Sequence, residues 1–326
     1  MATLKDVAKE AGLSVGTVSR VLNNRGYISE ETRESVHRAM KRLNYQPNEM
    51  ARSLSRQRSS MIGVIVPNIA HPYFSMLISC LENVFHREGY EMLLFASHGK
   101  ADQEEEYVRA CVSNRVAGLI LCTGSVKTAR LRNLGFPVVT FERFLNDADA
   151  GVECDNYGGG VLAAQELISA GCRNVASIGG GGDVSMPADG RQEGFLEECG
   201  RHADVRVHSF SCSVERILDM EYLPEICRFL EQVPDVDGVF ANSDVIALQV
   251  ISALQKKGRK VPKDVRVIGY DDVLPLNIIN PALTTIHQPV AEMAEACMMI
   301  IKKASQGESF PVRTIFHVTL VRRETT

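Results

Sequence analysis

Between Thr3 and Asn23 the apolar positions follow two short helical registers. Leu4, Val7, Ala8 and Ala11 fall at i, i+3, i+4 and i+7 on one helix face, and Thr3 followed three residues later by Asp6 resembles a capping box. Gly12 ends that helix. Ser14 is placed to cap a second one, in which Val18, Val21 and Leu22 share one side while Gly16 and Arg20 project from the other. Ser29-Glu30-Glu31-Thr32 opens a third helix whose Val36, Ala39, Met40 and Leu43 repeat the spacing, so three helices can enclose a small core. After Tyr45-Gln46-Pro47, the segment Asn48 to Ser55 starts with a capping residue but is shorter than the roughly 12 to 15 residues an isolated helix needs in water, so it requires a partner to fold.

From Met61 the texture changes to short apolar β-rich runs alternating with helical stretches. MIGVIVP precedes a helix from about Tyr73 to Arg87, YEMLLFA one from Asp102 to Ser113, and AGLILC one from Val126 to Asn133, before PVVTFE. A second series follows: helix Gly158 to Ala170, NVASIG, helix Arg191 to Cys199, VRVHSF, helix Glu215 to Glu231, GVFAN, helix Asp244 to Lys257 and VRVIGYDD. This alternation predicts parallel βαβ units in two Rossmann-like lobes. The last helix, Val290 to Lys303, and the strand TIFHVTLV are expected to return to the first lobe.

A helix with one packed face and a short or polar outer face meets the requirement for entering a DNA major groove; an ordinary helical hairpin is the alternative. Charge favours DNA. The net −4 hides an asymmetry: residues 1–60 hold 11 Lys and Arg against 6 acidic residues, a net +5, and the remainder holds 25 against 34, a net −9. A basic head on an acidic body suits phosphate contact by the head alone. The 326 residues, 45% apolar, suffice for a sizeable core and two or three domains after a head of about 60 residues. Nine scattered cysteines without a C-x-x-C pair predict reduced thiols in a cytosol. Neither a signal peptide nor a membrane span is expected, nor a metal site from the eight histidines.

TLKDVAKEAGLSVGTVSRVLN followed by YQPNEMARSL closely resembles the DNA-binding headpiece of the LacI/GalR family of bacterial transcription regulators, and the order of elements downstream matches to Thr326. The resemblance implies a helix-turn-helix head over 1–46, a hinge helix and linker over 47–60, and a two-lobed effector and dimerisation domain like the periplasmic sugar-binding proteins over 61–326. Its first lobe would comprise about 61–157 and 290–326, its second about 158–289. The implied DNA-binding residues are Thr3, Ser14, Val15, Gly16, Thr17, Arg20, Asn23, Ala51 and Leu54. Val15, Gly16 and Arg20 would face bases, and Leu54 would wedge into the minor groove at the operator centre, where apolar side chains unstack a base step.

Ligands of such folds bind beyond the carboxyl ends of the strands, which directs attention to residues just after each apolar run. Tyr73, Phe74, Arg191, Phe210, Asn242, Asp244 and Asp271 fall there and form the expected effector set. Aromatic surface, a bidentate cation and carboxylates or amides suit a polyhydroxylated ring, a sugar or sugar phosphate. Structural alternatives stand beside these assignments: Asp271 as a turn cap, Tyr73 and Phe74 as core, Asp244 as the N-cap of its helix. Gly179 to Gly182 lacks the G-K-[ST] of a phosphate loop, and Gly158-Gly159-Gly160 is not a dinucleotide fingerprint, so no cofactor is expected. The expected protein is a repressor that binds a pseudo-palindromic operator as a homodimer, since no heptad segment follows Val321. Its effector would be a sugar, with a purine or other nitrogenous metabolite as the alternative. An enzyme, which would call for motifs such as G-x-S-x-G or H-E-x-x-H, and an exported solute-binding protein rank below it.

Overall fold

The computed structural model describes residues 2–22, 26–45, 59–123, 131, 133–143, 145, 147–180, 186–212, 219–273 and 278–326. The chain divides into two compact units, Met1–Ser59 and Ser60–Thr326.

The first unit is helical. In α1 (Leu4–Ala11) the Thr3 side chain accepts from the Asp6 N–H while the Asp6 carboxylate accepts from the Thr3 N–H at 2.8 Å, a complete capping box, and Gly12 closes the helix in the left-handed conformation at φ 67°. α2 (Val15–Leu22) is capped by Ser14, whose Oγ accepts from the Thr17 N–H at 3.0 Å. α3 (Glu30–Arg42) is capped by Ser29. Val7, Ala8, Val18, Val21, Val36 and Ala39 form the shared core.

The second unit contains two six-stranded sheets. The first has the order β11-β5-β4-β3-β1-β2, from β1 (Met61–Val66), β2 (Glu91–Ala96), β3 (Gly118–Leu121), β4 (Val138–Phe141), β5 (Ala150–Cys154) and β11 (Arg313–Phe316), all parallel. The second has the order β12-β10-β9-β8-β6-β7, from β6 (Asn174–Gly180), β7 (Arg206–Cys212), β8 (Gly238–Ala241), β9 (Arg266–Asp271), β10 (Thr284–His287) and β12 (Thr319–Val321), with only β12 antiparallel. The intervening helices are α4 (Pro72–Arg87), α5 (Ala101–Ser113), α6 (Asn156–Ser169), α7 (Asp189–Gly200), α8 (Leu223–Gln232), α9 (Asp244–Lys256) and α10 (Val290–Gln306). Helices cover both faces, which is why β3, β4 and β8 are buried at every position and read as apolar runs, broken only by Thr140 in β4.

Three expectations change. TIFHVTLV is two strands: β11 joins the first sheet beside β5, whereas β12 crosses over to pair with β10 in the second, so residues from Thr319 do not belong with the first lobe. Of the helix expected from Glu215 to Glu231, the part before Asp219 lies outside the described residues; Met220 takes φ 55°, and a helix begins at Leu223 with Pro224 in its first turn. β5 and β10 were not anticipated. The segments 46–58 and 124–130, which include the expected hinge helix and most of the helix from Val126, lie outside the described residues.

Candidate functional site

The carboxyl ends of both sheets converge on Arg191. This residue stands in the first turn of α7, and its side chain is 8% exposed. Nε donates to Asn156 Oδ1 at 2.7 Å; Nη1 donates to the Asn242 carbonyl at 2.7 Å and to Asp271 Oδ1 at 3.2 Å. The guanidinium carbon lies 3.7 Å from the centroid of the Tyr270 ring, so a π face supports its underside. Nη2 reaches Glu142 Oε2 only at 3.8 Å, beyond hydrogen-bond range. The donors left on Nη2 are the chemical means by which this arginine can take a ligand oxygen.

Asp271, at the end of β9, is held at φ 109°, a conformation L residues adopt only when their surroundings impose it. Gln288, just past β10, donates to Asp271 Oδ1 at 2.7 Å and accepts through Oε1 from the Tyr73 hydroxyl at 3.1 Å and the Cys154 thiol at 3.3 Å. One amide thus joins α4 and β5 on the first-lobe side to β9 on the second. Glu142, after β4 at φ 52°, accepts from the Cys154 N–H at 2.6 Å and from Asn156 Nδ2 at 2.9 Å. His71 caps α4 through Nδ1, which accepts from the Tyr73 N–H at 3.3 Å, and the Phe74 ring meets both His71 and Tyr73 edge-on.

Electrostatics follow from burial and one dominant cation. Burial pushes the Asp271 carboxyl up to about 7, against the opposing charge of Arg191 and the hydrogen bond from Gln288. Burial alone would lower the Arg191 pKa, but Asp271 first, then Tyr270, Cys154 and Glu142, more than compensate and hold it protonated. His71 is lowered to about 4 by burial and then by the Arg191 charge, which keeps it neutral and consistent with an accepting Nδ1.

Glycines set how near these parts come. A Cβ on Gly160 in α6 would overlap the Arg191 carbonyl oxygen, one on Gly194 in α7 would overlap the Tyr157 carbonyl oxygen, and one on Gly159 would lie 2.6 Å from the Tyr270 ring. Gly160 and Gly194 therefore set α7, and with it Arg191, against α6, while Gly159 lets α6 approach Tyr270.

On the head, Val15 is 41% exposed, Gly16 and Arg20 are exposed, and Val18 and Val21 of the same helix are buried. The Ser14 and Thr17 hydroxyls are 2.9 Å apart at the start of α2. Thr3 serves the cap of α1. Asn23, Ala51 and Leu54 lie outside the described residues.

Residues 3–48 match the model of the bacterial regulatory proteins of the lacI family, and residues 164–326 match that of the periplasmic binding protein-like domain. The ribose operon repressor of Halalkalibacterium halodurans is 36% identical over 327 residues, covering 100% of this chain and 97% of the relative. The chain belongs to the lacI family of bacterial regulatory proteins. The sucrose operon repressor of Pediococcus pentosaceus is also 36% identical, over 91% of this chain and 90% of its own. A periplasmic binding protein/LacI transcriptional regulator from Alkaliphilus metalliredigens, solved with D-xylulofuranose, superimposes with a TM-score of 0.73 at 30% identity, over 82% of this chain and 99% of its own. A lacI-family chain is a DNA-binding regulator and not an enzyme.

Of the effector residues expected in this lacI-family regulator, the structure brings together Tyr73, Phe74, Arg191, Asn242 and Asp271. Asn242 contributes its carbonyl to Arg191, while its amide packs on Gly179. Asp244 is fully buried beside them with both carboxylate oxygens hydrogen-bonded; its helix is capped by Ser243 instead. Phe210 is elsewhere. β7 runs two residues past it, so its ring still faces the helix layer and stacks on Phe229 of α8 with centroids 4.9 Å apart. Glu142, Cys154, Asn156, Tyr270 and Gln288 were not foreseen. Glu142, directly after the run PVVTF, Tyr270, next to Asp271 in the same strand, and Asn156, at the start of α6, carried a positional signal.

Proposed function

We propose that the chain is a cytoplasmic transcriptional repressor whose affinity for a pseudo-palindromic operator is set by a sugar bound at Arg191 and Asp271. The observation that carries this reading is the Arg191 arrangement. A guanidinium stacked on an aromatic ring, fixed by three protein acceptors and with Nη2 left to donate, stands beside a carboxylate that accepts, the pairing that binds vicinal hydroxyls. Relatives named for ribose and sucrose operons support a sugar.

Two heads joined by homodimerisation would read the two half-sites, because one recognition helix of eight residues supplies few base contacts. Thr3, Ser14, Val15, Gly16, Thr17, Arg20 and Asn23 form the proposed DNA surface. Residues 47–60, with Ala51 and Leu54, form the proposed hinge, which folds when two copies meet over the operator centre. Lobe closure on the sugar then biases that pairing, a reciprocal coupling of typically about 1 to 3 kcal/mol.

A thermal-shift panel of D-ribose, sucrose, D-fructose, hypoxanthine and guanine tests the effector class, because a ligand that binds only the folded state raises the melting temperature. Stabilisation by a sugar alone is expected. Stabilisation by a purine and by no sugar would overturn the assignment.

A further inference from the structure

Asp244 borders the effector site without facing it. It is fully buried at the first position of α9, and Ser243 Oγ caps that helix by accepting from the Ile246 N–H at 3.3 Å, so capping does not account for the carboxylate. Oδ1 accepts from the Thr285 hydroxyl of β10 at 2.5 Å, and Oδ2 accepts from the Val273 N–H at 3.0 Å. Gly269 in β9 makes room, since a Cβ there would overlap Oδ1. One carboxylate thereby ties α9, β10 and the exit of β9 together.

That exit is where the backbone is least relaxed. Asp271 and Asp272 take φ 109° and 57° in succession, and the Val273 N–H follows directly. Such conformations persist only when the surroundings over-determine them. Gln288 and Arg191 hold the Asp271 side chain, and Asp244 holds the main chain two residues on. A second buried carboxylate here is costly, because burial and the neighbouring Asp271 both disfavour its charge. An amide would avoid that cost but offers a single acceptor oxygen for two donors.

We propose that Asp244 is a positioning residue: through the Val273 amide and the Thr285 hydroxyl it holds the Asp271–Asp272 turn so that Asp271 meets Arg191, and it does not touch the effector. The proposal rests on the reading of Arg191 and Asp271 as the sugar site.

The test uses the full-length chain and two variants, Asp244→Asn and Thr285→Val. The second is nearly isosteric and removes only the hydroxyl that braces Asp244. One measurement needs no ligand: carboxyl-carbon NMR titration of Asp271. Thr285→Val is expected to raise its midpoint by about one pH unit, a tenfold change in proton affinity, as the carboxylate withdraws from Arg191. A residue that merely packs would lower the melting temperature and leave this midpoint unmoved. Calorimetry with D-ribose is the second arm. Both variants are expected to bind about tenfold more weakly, and the double variant no more weakly than the worse single one, because the two residues act as one brace. An unmoved Asp271 midpoint in folded Thr285→Val overturns the proposal, as does loss of D-ribose binding in Asp244→Asn alone, which would make Asp244 a direct contact. If the unmodified chain binds none of D-ribose, sucrose and D-fructose, the sugar reading fails while the titration still decides the positioning role.

Discussion

Gly160 in α6 lies against the main-chain carbonyl of Arg191 in α7, so close that a Cβ at position 160 would overlap the oxygen and sit 2.8 Å from the Phe195 nitrogen. Alanine would gain up to about 1 kcal/mol in helix propensity. Overpacking costs about 1 to 3 kcal/mol, and here the obstacle is backbone, which cannot rotate aside. Gly160→Ala should therefore lower the melting temperature by several degrees and weaken sugar binding by displacing Arg191. Thermal unfolding with calorimetry checks both; a variant as stable as the parent would contradict the packing.

If Asp271 contacts the effector as proposed, effector affinity depends on pH. Its carboxyl sits at about 7, and only the ionised form accepts from both a sugar hydroxyl and Arg191, so binding should weaken by about tenfold per pH unit below 7. Stability moves the other way. An acid whose folded pKa is raised holds its proton more tightly when folded, so Asp271 adds stability as pH falls from about 7 toward 3.8. His71, lowered from 6.5 to about 4, gives the opposite contribution, lost as pH falls through that window. Between pH 8 and 6.5, affinity should decline without a drop in melting temperature from these groups. Asp271→Asn should flatten the affinity profile.

Tyr270 supports Arg191 with its ring, whereas its hydroxyl contacts only the Cys154 thiol, at 3.6 Å, among the described hydrogen bonds. Tyr270→Phe should keep most of the sugar affinity. Tyr270→Leu removes the cation–π support, worth about 1 to 2 kcal/mol when desolvated, and should cost roughly tenfold or more. Equal losses in calorimetry would assign the role to the hydroxyl.

On the head, Arg20 projects from the exposed side of α2. Arg20→Ala should reduce specific operator binding by about 1 to 3 kcal/mol, the worth of one base contact, and nonspecific binding far less. Gel-shift titrations against operator and scrambled duplex separate these; equal loss on both would make Arg20 a phosphate contact.

The parts legible in the sequence are those whose causes are local. The Thr3–Asp6 box and the closing Gly12 lie within one helix, and β1, β3, β8 and the middle of β9 announced themselves because layers on both sides favour apolar residues throughout. β5 and β10 did not, because Glu153 and the Thr284–Thr285 pair interrupt their apolar pattern. These polar groups are buried against partners far away in sequence: Glu153 against Arg313, Thr284 against Thr325 and Thr326, Thr285 against Asp244. Arg191 and Asp271 could be placed because they follow strands. Gln288 could not, since its meaning lies in Tyr73 and Asp271, which only the folded chain brings to it.

The pairing of β11 with β5, Arg313 opposite Gly151, sets a schedule for synthesis. The first sheet lacks its edge strand until some 160 further residues have been made, roughly 10 to 30 s at bacterial elongation rates of about 5 to 20 residues per second. During that interval the nascent chain presents β5 as an open edge, with Glu153 awaiting Arg313. A charge on a waiting strand is expected to discourage pairing with a neighbouring chain on the same message, so the residue that hides β5 from pattern reading would also guard it while the ribosome completes the fold.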